Sequence, residues 1–290
     1  MKITALAGWM GSKRTLAPRI VELLGPHRAF VEPFCGSMAV LLAKPQTSFE
    51  LVNDLHGDLT NLAWVLRHDR FGPWLYRRLR RNLYSEEEFA SAKTRLDLFP
   101  VAPAPGALHN DHAERAYCYF VLCWMGRSGI LGTAQGNTTF TVQYNANGGN
   151  QAGRFAAAVD SIPAWRRRLR SVTILRRDGL VLLDRLADLP GQAVYCDPPY
   201  FVKTARYEHD FAAGDHQRLA TILNRFVKTR VVVSYYDAPE LDTLYPYWAK
   251  IDCSRAKHLS FQGRRGSTSE VSPEVLLVNQ PVTLTEGDPS

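Results

Sequence analysis

The stretch from Ala29 to Asp54 constrains the fold more than any other part of the chain. Ala29-Phe30-Val31-Glu32 is a short apolar strand that runs into the turn Pro33-Phe34-Cys35-Gly36-Ser37. Met38 to Ala43 reads as a helix, and Phe49 to Asp54 as a second strand ending in a carboxylate. Strand, glycine-bearing turn, helix, strand is a βαβ unit, whose two strands lie parallel in one sheet. In such a sheet the loops that follow the strands gather at one edge, where ligands bind.

The rest of the chain divides around that unit. Residues 14–24 place Leu16, Ile20, Leu23 and Leu24 at helical spacing, stopped by Gly25-Pro26. From about Asp58 helical segments are expected at 58–82, 86–98 and 113–124, with a Pro/Ala stretch from Pro100 to Gly106 between the last two. Residues 126–153 are rich in Gly, Asn and Thr, with strand-like Thr138 to Tyr144, and read as a hairpin and loop. A helix over 155–169 leads back to strands at 172–175, 193–196 and 231–234, with a helix at 215–228 joining the last two. Residues 251–280 read as β-rich around a polar loop from Gln262 to Ser272, and the last residues as a disordered tail. The expected architecture is α/β: a sheet built from residues 1–57 and 160–283, a mainly helical insertion over 58–159 that carries a hairpin, and a tail at 284–290.

Composition excludes several classes. At 46% hydrophobic and 22% charged, the 290 residues are neither a disordered chain nor a small disulfide scaffold. No run of about 18 apolar residues offers a bilayer span. The first ten residues lead straight into Lys13-Arg14 without the pattern of a cleavable signal, so a cytoplasmic location is expected. The five cysteines include no C-x-x-C pair and read as reduced thiols, and His109 and His112 lack the partners of a metal site. The net charge of +7 is clumped: residues 67–95 hold eight Lys/Arg and residues 154–185 another eight. Clumped positive charge favours a polyanionic partner, although a run such as Arg166-Arg167-Arg168 equally suits a solvated helix face.

The chemistry concentrates at Tyr195-Cys196-Asp197-Pro198-Pro199-Tyr200, where a strand ends at the carboxyl edge. The prolines remove two backbone donors and stiffen the loop, leaving a bare Pro198 carbonyl, the Asp197 carboxylate and an aromatic face side by side. That set suits a planar amine. An exocyclic amino group on an aromatic ring is a poor nucleophile because its lone pair is delocalised. Two acceptors, one for each N–H, localise the lone pair while Tyr200 stacks on the ring. The same tetrapeptide read without context is equally a stiff turn after a strand.

The wider pattern settles that choice, because the chain resembles the Dam-type DNA adenine-N6 methyltransferases of bacteria and phages. Gly8-Trp9-Met10-Gly11-Ser12-Lys13 is similar to that family's N-terminal Trp-x-Gly-x-Lys segment, Val31 to Ser37 to its first cofactor loop, Asn53-Asp54 to its ribose-binding acid, and Asp197-Pro198-Pro199-Tyr200 to its catalytic motif. Ser234-Tyr235-Tyr236-Asp237 also has a counterpart. The resemblance covers most of the chain in the family's order and implies a Rossmann-like methyltransferase sheet, S-adenosylmethionine as donor, no metal, and a monomer acting on double-stranded DNA away from membranes. It implies catalytic roles for Asp197, Pro198, Pro199 and Tyr200, and cofactor contacts from Trp9, Lys13, Glu32, Phe34, Gly36, Asp54 and Asp197.

Residue by residue, alternatives stay open. Lys13 suits the cofactor's carboxylate or solvent, while Trp9 and Phe34 suit the sulfonium, the adenine or the core. Asp54 follows Gly36 by 18 residues, close to the ribose-acid spacing, with Asp58 as its rival and a helix N-cap as the plainer role. Met38 stands where the family usually has a second glycine, and either narrows the backbone's approach to the cofactor or faces the core. A base inside a duplex must be flipped out to reach Asp197. Trp124 to Gly129 followed by Asn137 to Phe140 resembles the family's DNA-entering hairpin, which marks Arg127, Asn137 and Thr139 as DNA contacts, with Arg127 on a guanine edge or a phosphate. The loop Gln262 to Ser267, with Arg264 and Arg265, matches in position a family loop near the flipped base, or is a plain surface turn, and Lys257 ahead of it is a further candidate DNA contact. Rival functions are cytosine-N4 or RNA adenine methylation, and a non-catalytic DNA-binding protein on a decayed methyltransferase scaffold.

Overall fold

The structure is a computed structural model that describes residues 5–8, 11–127, 138–142, 150–201, 211–253, 255–256, 271–272 and 274–280. The elements run α1 (Ala17–Leu24), β1 (Ala29–Glu32), α2 (Ala39–Ala43) and β2 (Phe49–Asn53), then the helices α3 (Gly57–Arg67), α4 (Phe71–Leu79), α5 (Glu86–Leu96), α6 (Asn110–Met125) and α7 (Gln151–Leu169). They continue with β3 (Val172–Leu175), α8 (Gly179–Asp184), β4 (Gln192–Cys196), α9 (Ala213–Leu223), β5 (Arg230–Tyr236), α10 (Glu240–Leu244), β6 (Ala249–Asp252), β7 (Arg255–Ala256), β8 (Val271–Ser272) and β9 (Glu274–Val278). Seven strands form one sheet in the order β3-β2-β1-β4-β5-β9-β6. The five from β3 to β5 are parallel, and β9 runs antiparallel to both neighbours. This is the Rossmann-like sheet expected from the sequence.

Period-2 alternation explains why the sheet is covered on both faces. Phe30, Ala193, Tyr195, Val232 and Leu276 join the core cluster that includes α1 and the helices α3 to α7. Their neighbours Val31, Val194, Cys196, Val233 and Val275 join the cluster under α8, α9 and α10. The helical layer is also tied to the sheet by polar contacts. Trp64 Nε1 donates to the Ile174 carbonyl at 3.3 Å, and Arg67 Nη1 to the Val172 carbonyl at 2.9 Å. α7 passes position 160 without a break.

Local details depart from the sequence reading for identifiable reasons. The helical stretch expected over 58–82 is two helices, because His68 turns extended and its Nδ1 accepts the backbone N–H groups of Arg70 and Phe71. Pro73 sits in the first turn of α4, where a missing N–H costs nothing. α8 and α10, of six and five residues, are too short to show a helical period and were not expected. In the hairpin region Gly126 bridges Phe140, while residues 143–149 lie outside those described. His109 and His112 serve α6: the His109 N–H donates to His112 Nδ1 at 3.1 Å. Part of the clumped positive charge is structural. Arg168 grips the buried Glu50, which also meets Lys44 at 2.7 Å, and Arg78 and Arg95 both hold Glu114.

Met38 decides between the two readings of its position. Its φ is 58° and its ψ 33°, the left-handed region that favours glycine, and its side chain is fully buried in the core. It caps the turn that starts α2, where its N–H donates to the Cys35 carbonyl at 2.7 Å. Glycine would meet this backbone demand without strain, and burial of a flexible thioether offsets the strain here. Removing the side chain costs about 2–5 kcal/mol, whereas the left-handed conformation costs a non-glycine residue roughly 1–2 kcal/mol. Urea unfolding should therefore rank wild type above Met38→Gly, and Met38→Gly above Met38→Ala by about 1 kcal/mol, the reverse of the usual order for these two residues. Met38→Ala matching or exceeding Met38→Gly would show that the strain is not felt.

Candidate active site

Sheet order creates the site. β1 connects outward to β2 and β3, whereas β4 connects the other way to β5. Between the carboxyl ends of the adjacent strands β1 and β4 the connections therefore diverge, which is the switch point where open α/β sheets hold ligands. Glu32 ends β1 and Asp197 follows β4, so one carboxylate stands on each side of the opening.

The loop after β1 is held open by its neighbours. Gly36, with φ of 43°, donates its N–H to Asp54 Oδ2 at 2.8 Å, and the His56 N–H donates to Asp54 Oδ1 at 2.9 Å. Asn53 staples three loops: its Nδ2 donates to the Pro33 and Arg177 carbonyls and its Oδ1 accepts the Arg177 N–H, all at 2.9 Å. Asp58, the rival of Asp54, is spent on Arg115, with Nη2 to Oδ2 at 3.0 Å. The N-terminal segment lies alongside, since Leu6 donates to the Ser37 carbonyl and Ser12 Oγ meets Ser37 Oγ at 2.9 Å.

The loop after β4 carries a network. Asp197 Oδ1 accepts from Tyr200 OH at 3.0 Å and from Ser234 Oγ at 2.9 Å, and Ser234 Oγ is shared with Tyr195 OH at 2.9 Å. Asp197 Oδ2 lies 3.0 Å from Lys13 Nζ. Lys13 also meets Glu274 at 3.3 Å and donates to the Gly11 carbonyl at 2.8 Å. Tyr200 OH stands 3.1 Å from Glu274 Oε1, and its ring edge meets Tyr236 at 4.6 Å between centroids.

A cleft of about 240 Å³, open to solvent, is lined by Ser12, Lys13, Glu32, Phe34, Cys35, Gly36, Ser37, Ala39, Val40, Tyr195 and Asp197. Asp197 keeps 23% of its side chain exposed, so its ion pair does not seal it from the cleft. Phe34 is wedged between the cleft and Gly179, where a Cβ would come within 2.4 Å of its ring, and meets Phe211 edge-on. Glu32 is buried, and its Oε2 has no hydrogen-bond partner among the described residues. Burial, with the Asp197 charge adding to it, holds the Glu32 carboxyl well above the ordinary value of 4.5. Burial opposes the charge on Lys13, but Asp197 and Glu274 more than offset it and hold the ammonium charged. Burial also pushes the Cys35 thiol up, so it keeps its proton and is no nucleophile at neutral pH.

Lys13, Glu32, Phe34, Gly36 and Asp197 thus meet in one cleft, with Asp54 one hydrogen bond behind Gly36 and Tyr200 beyond Asp197. The Lys13 ammonium is turned to Asp197 and Glu274, a pairing the sequence did not suggest. Pro198 is buried and Pro199 partly so beside Asp197. Arg127 and Thr139 are exposed neighbours outside the cleft lining, joined by the Arg127 N–H to the Thr139 carbonyl at 3.0 Å. Trp9, Asn137, Lys257, Arg264 and Arg265 lie outside the described residues. Glu274 was missed. No local motif marks it, and it reaches the site because β9 runs antiparallel and so starts at the carboxyl edge of the others. Among the described residues no group of three or more His, Cys, Asp or Glu is placed to hold a metal ion, and no helix is long and apolar enough to cross a membrane.

Residues 9–257 match the model of the D12 class N6 adenine-specific DNA methyltransferases. The chain belongs to that family. It is also 27% identical over 259 residues to the Retron Ec67 DNA adenine methylase of Escherichia coli, covering 84% of this chain and 81% of that protein. Adenine in DNA is therefore the family's substrate, and the cytosine-N4 and RNA readings fall behind it. For this methyltransferase the unpartnered Glu32 oxygen has a stability cost with a definite sign. Below pH 4.5 folded and unfolded chains both carry the proton; above it the unfolded chain ionises freely while the folded one resists, so stability falls as pH rises towards the raised folded value. Glu32→Gln keeps the acceptor for the Leu41 N–H and removes that loss. Its stability should equal wild type near pH 4.5 and exceed it by on the order of 1 kcal/mol at pH 8 in paired denaturant titrations. A difference that does not grow with pH would mean that Glu32 ionises freely in the fold.

Proposed function

We propose that the cleft binds S-adenosylmethionine and that the chain transfers its methyl group to N6 of an adenine flipped out of double-stranded DNA. The observation that carries the reading is that Asp197 and Glu32, the latter with a buried oxygen that has no hydrogen-bond partner among the described residues, line one cleft at the switch point. A buried carboxylate oxygen without a partner calls for a cation, and the donor's ammonium fits it. In this reading Asp54, just after β2 and bonded to the Gly36 N–H of the cleft, meets the ribose hydroxyls, and Phe34, which lines the cleft, meets the adenine or sulfonium face. When bound, the donor supplies a methyl group on a positively charged sulfur, which needs no metal to activate it.

The protein's own part is to make a poor nucleophile competent. Asp197 accepts one N6–H and the Pro198 carbonyl the other, which draws the lone pair out of the ring, and Asp197 is placed to take the proton that N6 sheds. Ser234 holds Asp197 Oδ1 and keeps the carboxylate's orientation fixed as the base arrives. Tyr200 and Tyr236 offer the aromatic walls against which an extruded base stacks. In this reading residues 1–57 and 160–283 form the catalytic part and 58–159 the recognition part of a monomer working in the cytoplasm. Arg127 and Thr139 face the duplex, joined by Asn137, Lys257, Arg264 and Arg265.

Two substitutions test it, read by mapping modified bases in DNA from cells that express each variant. Asp197→Ala should lower methyl transfer by at least roughly 100-fold while duplex binding persists; modification at the wild-type level would refute the acceptor role. Arg127→Ala should weaken duplex binding or relax site choice by about 1–3 kcal/mol. Unchanged affinity together with an unchanged modified motif would remove Arg127 from the interface.

A further inference from the structure

The free protein holds its catalytic carboxylate in a state that is not yet ready for a base. Asp197 Oδ1 already accepts two hydrogen bonds, from Tyr200 and Ser234. Its Oδ2 faces the Lys13 ammonium at 3.0 Å. A carboxylate oxygen neutralised by a buried cation is a weak acceptor for an N–H group, and an amino group that bonds Oδ2 competes with Lys13 for it. The ammonium is buried, so pulling it from Asp197 leaves it uncompensated unless a second anion is waiting.

Glu274 is that second anion. Its carboxylate lies 3.3 Å from Lys13 Nζ, against 3.0 Å for Asp197, so the ammonium changes partner with little movement while keeping the Gly11 carbonyl. Tyr200 repeats the arrangement: its single hydroxyl proton has Asp197 Oδ1 at 3.0 Å on one side and Glu274 Oε1 at 3.1 Å on the other. Glu274 itself does not line the cleft, so it is not placed to hold a ligand directly. We propose that Glu274 is a positioning residue for methyl transfer, taking over Lys13 and the Tyr200 hydroxyl as the target amino group takes over Asp197. The inference rests on the reading of Asp197 as the acceptor of that amino group.

Single-turnover methyl transfer to unmethylated plasmid DNA, with enzyme in excess, tests the handover. Glu274→Gln keeps the shape and an acceptor oxygen but removes the charge that receives Lys13. It should slow transfer by about 10- to 100-fold, with the half-saturating donor and DNA concentrations changed by less than about twofold. Glu274→Asp, which keeps the charge, should recover most of the rate. Because Glu274 works through Lys13, the double variant Lys13→Gln/Glu274→Gln should lose no more than the worse single variant, whereas two independent roles would multiply. A Glu274→Gln rate within twofold of wild type, losses that multiply, or Glu274→Asp no faster than Glu274→Gln would each overturn the proposal. Asp197→Ala in the same assay separates the two levels. An active Asp197→Ala protein defeats the acceptor reading, while an inactive one beside a fully active Glu274→Gln protein defeats the handover alone.

Discussion

The site depends on one constraint of topology: β1 and β4 lie side by side and parallel, yet their outgoing connections leave in opposite directions. Neither outgoing connection crosses the gap between their carboxyl ends, and the cleft lies there. Everything chemical hangs on that gap. Glu32 and Asp197 are the residues that the two strands deliver to its rims, and Asn53 and Asp54 brace the rim from β2.

The cleft is costly to the fold that makes it. Glu32 is buried with one oxygen unmatched, and Lys13 is a buried ammonium shared between two carboxylates. Lys13 stays charged because carboxylates compensate it, whereas Glu32, lacking such a partner, holds on to its proton in the free protein. The two apolar clusters that sandwich the sheet supply the stability to carry these groups. In the proposed reading a ligand cation at Glu32 would favour its ionised form, so binding and folding draw on the same group.

The helical layer stands apart from the cleft but is braced by the same core. The helices α3 to α7 share a cluster with the sheet, and Trp124 at the end of α6 donates to the Leu6 carbonyl at 3.2 Å, next to the segment that carries Lys13. Gly126 then hands the chain to the strip holding Thr138 to Phe140. A Cβ at Gly126 would meet the Leu122 carbonyl and Thr138 Oγ1 at 2.5 Å, so the strip approaches as closely as only glycine permits. Tyr84 OH donates to the Thr141 carbonyl and fastens the strip from the other side. Arg127 and Thr139 therefore project from a braced support.

Much of this was legible in the residues themselves. The strands at 29–32, 49–53, 172–175 and 192–196 fall within a residue of where apolar runs and turn residues put them, because buried parallel strands are written locally in apolar residues. The acidic tetrapeptide after β4 and the glycine turn after β1 were equally readable, since each is a contiguous stretch whose backbone chemistry is its own. What the sequence left open was decided across the sheet. That Asp58 pairs with Arg115 while Asp54 holds the Gly36 loop was set by contacts far along the chain, and which way Met38 faces turned on the left-handed turn that buries it. That Lys13, Asp197 and Glu274 share one network turned on the reversed direction of β9. Hydrophobic pattern reports which residues are buried in a strand but not the strand's direction or its neighbours, so contacts among residues 13, 197 and 274 exist only once the whole sheet has closed.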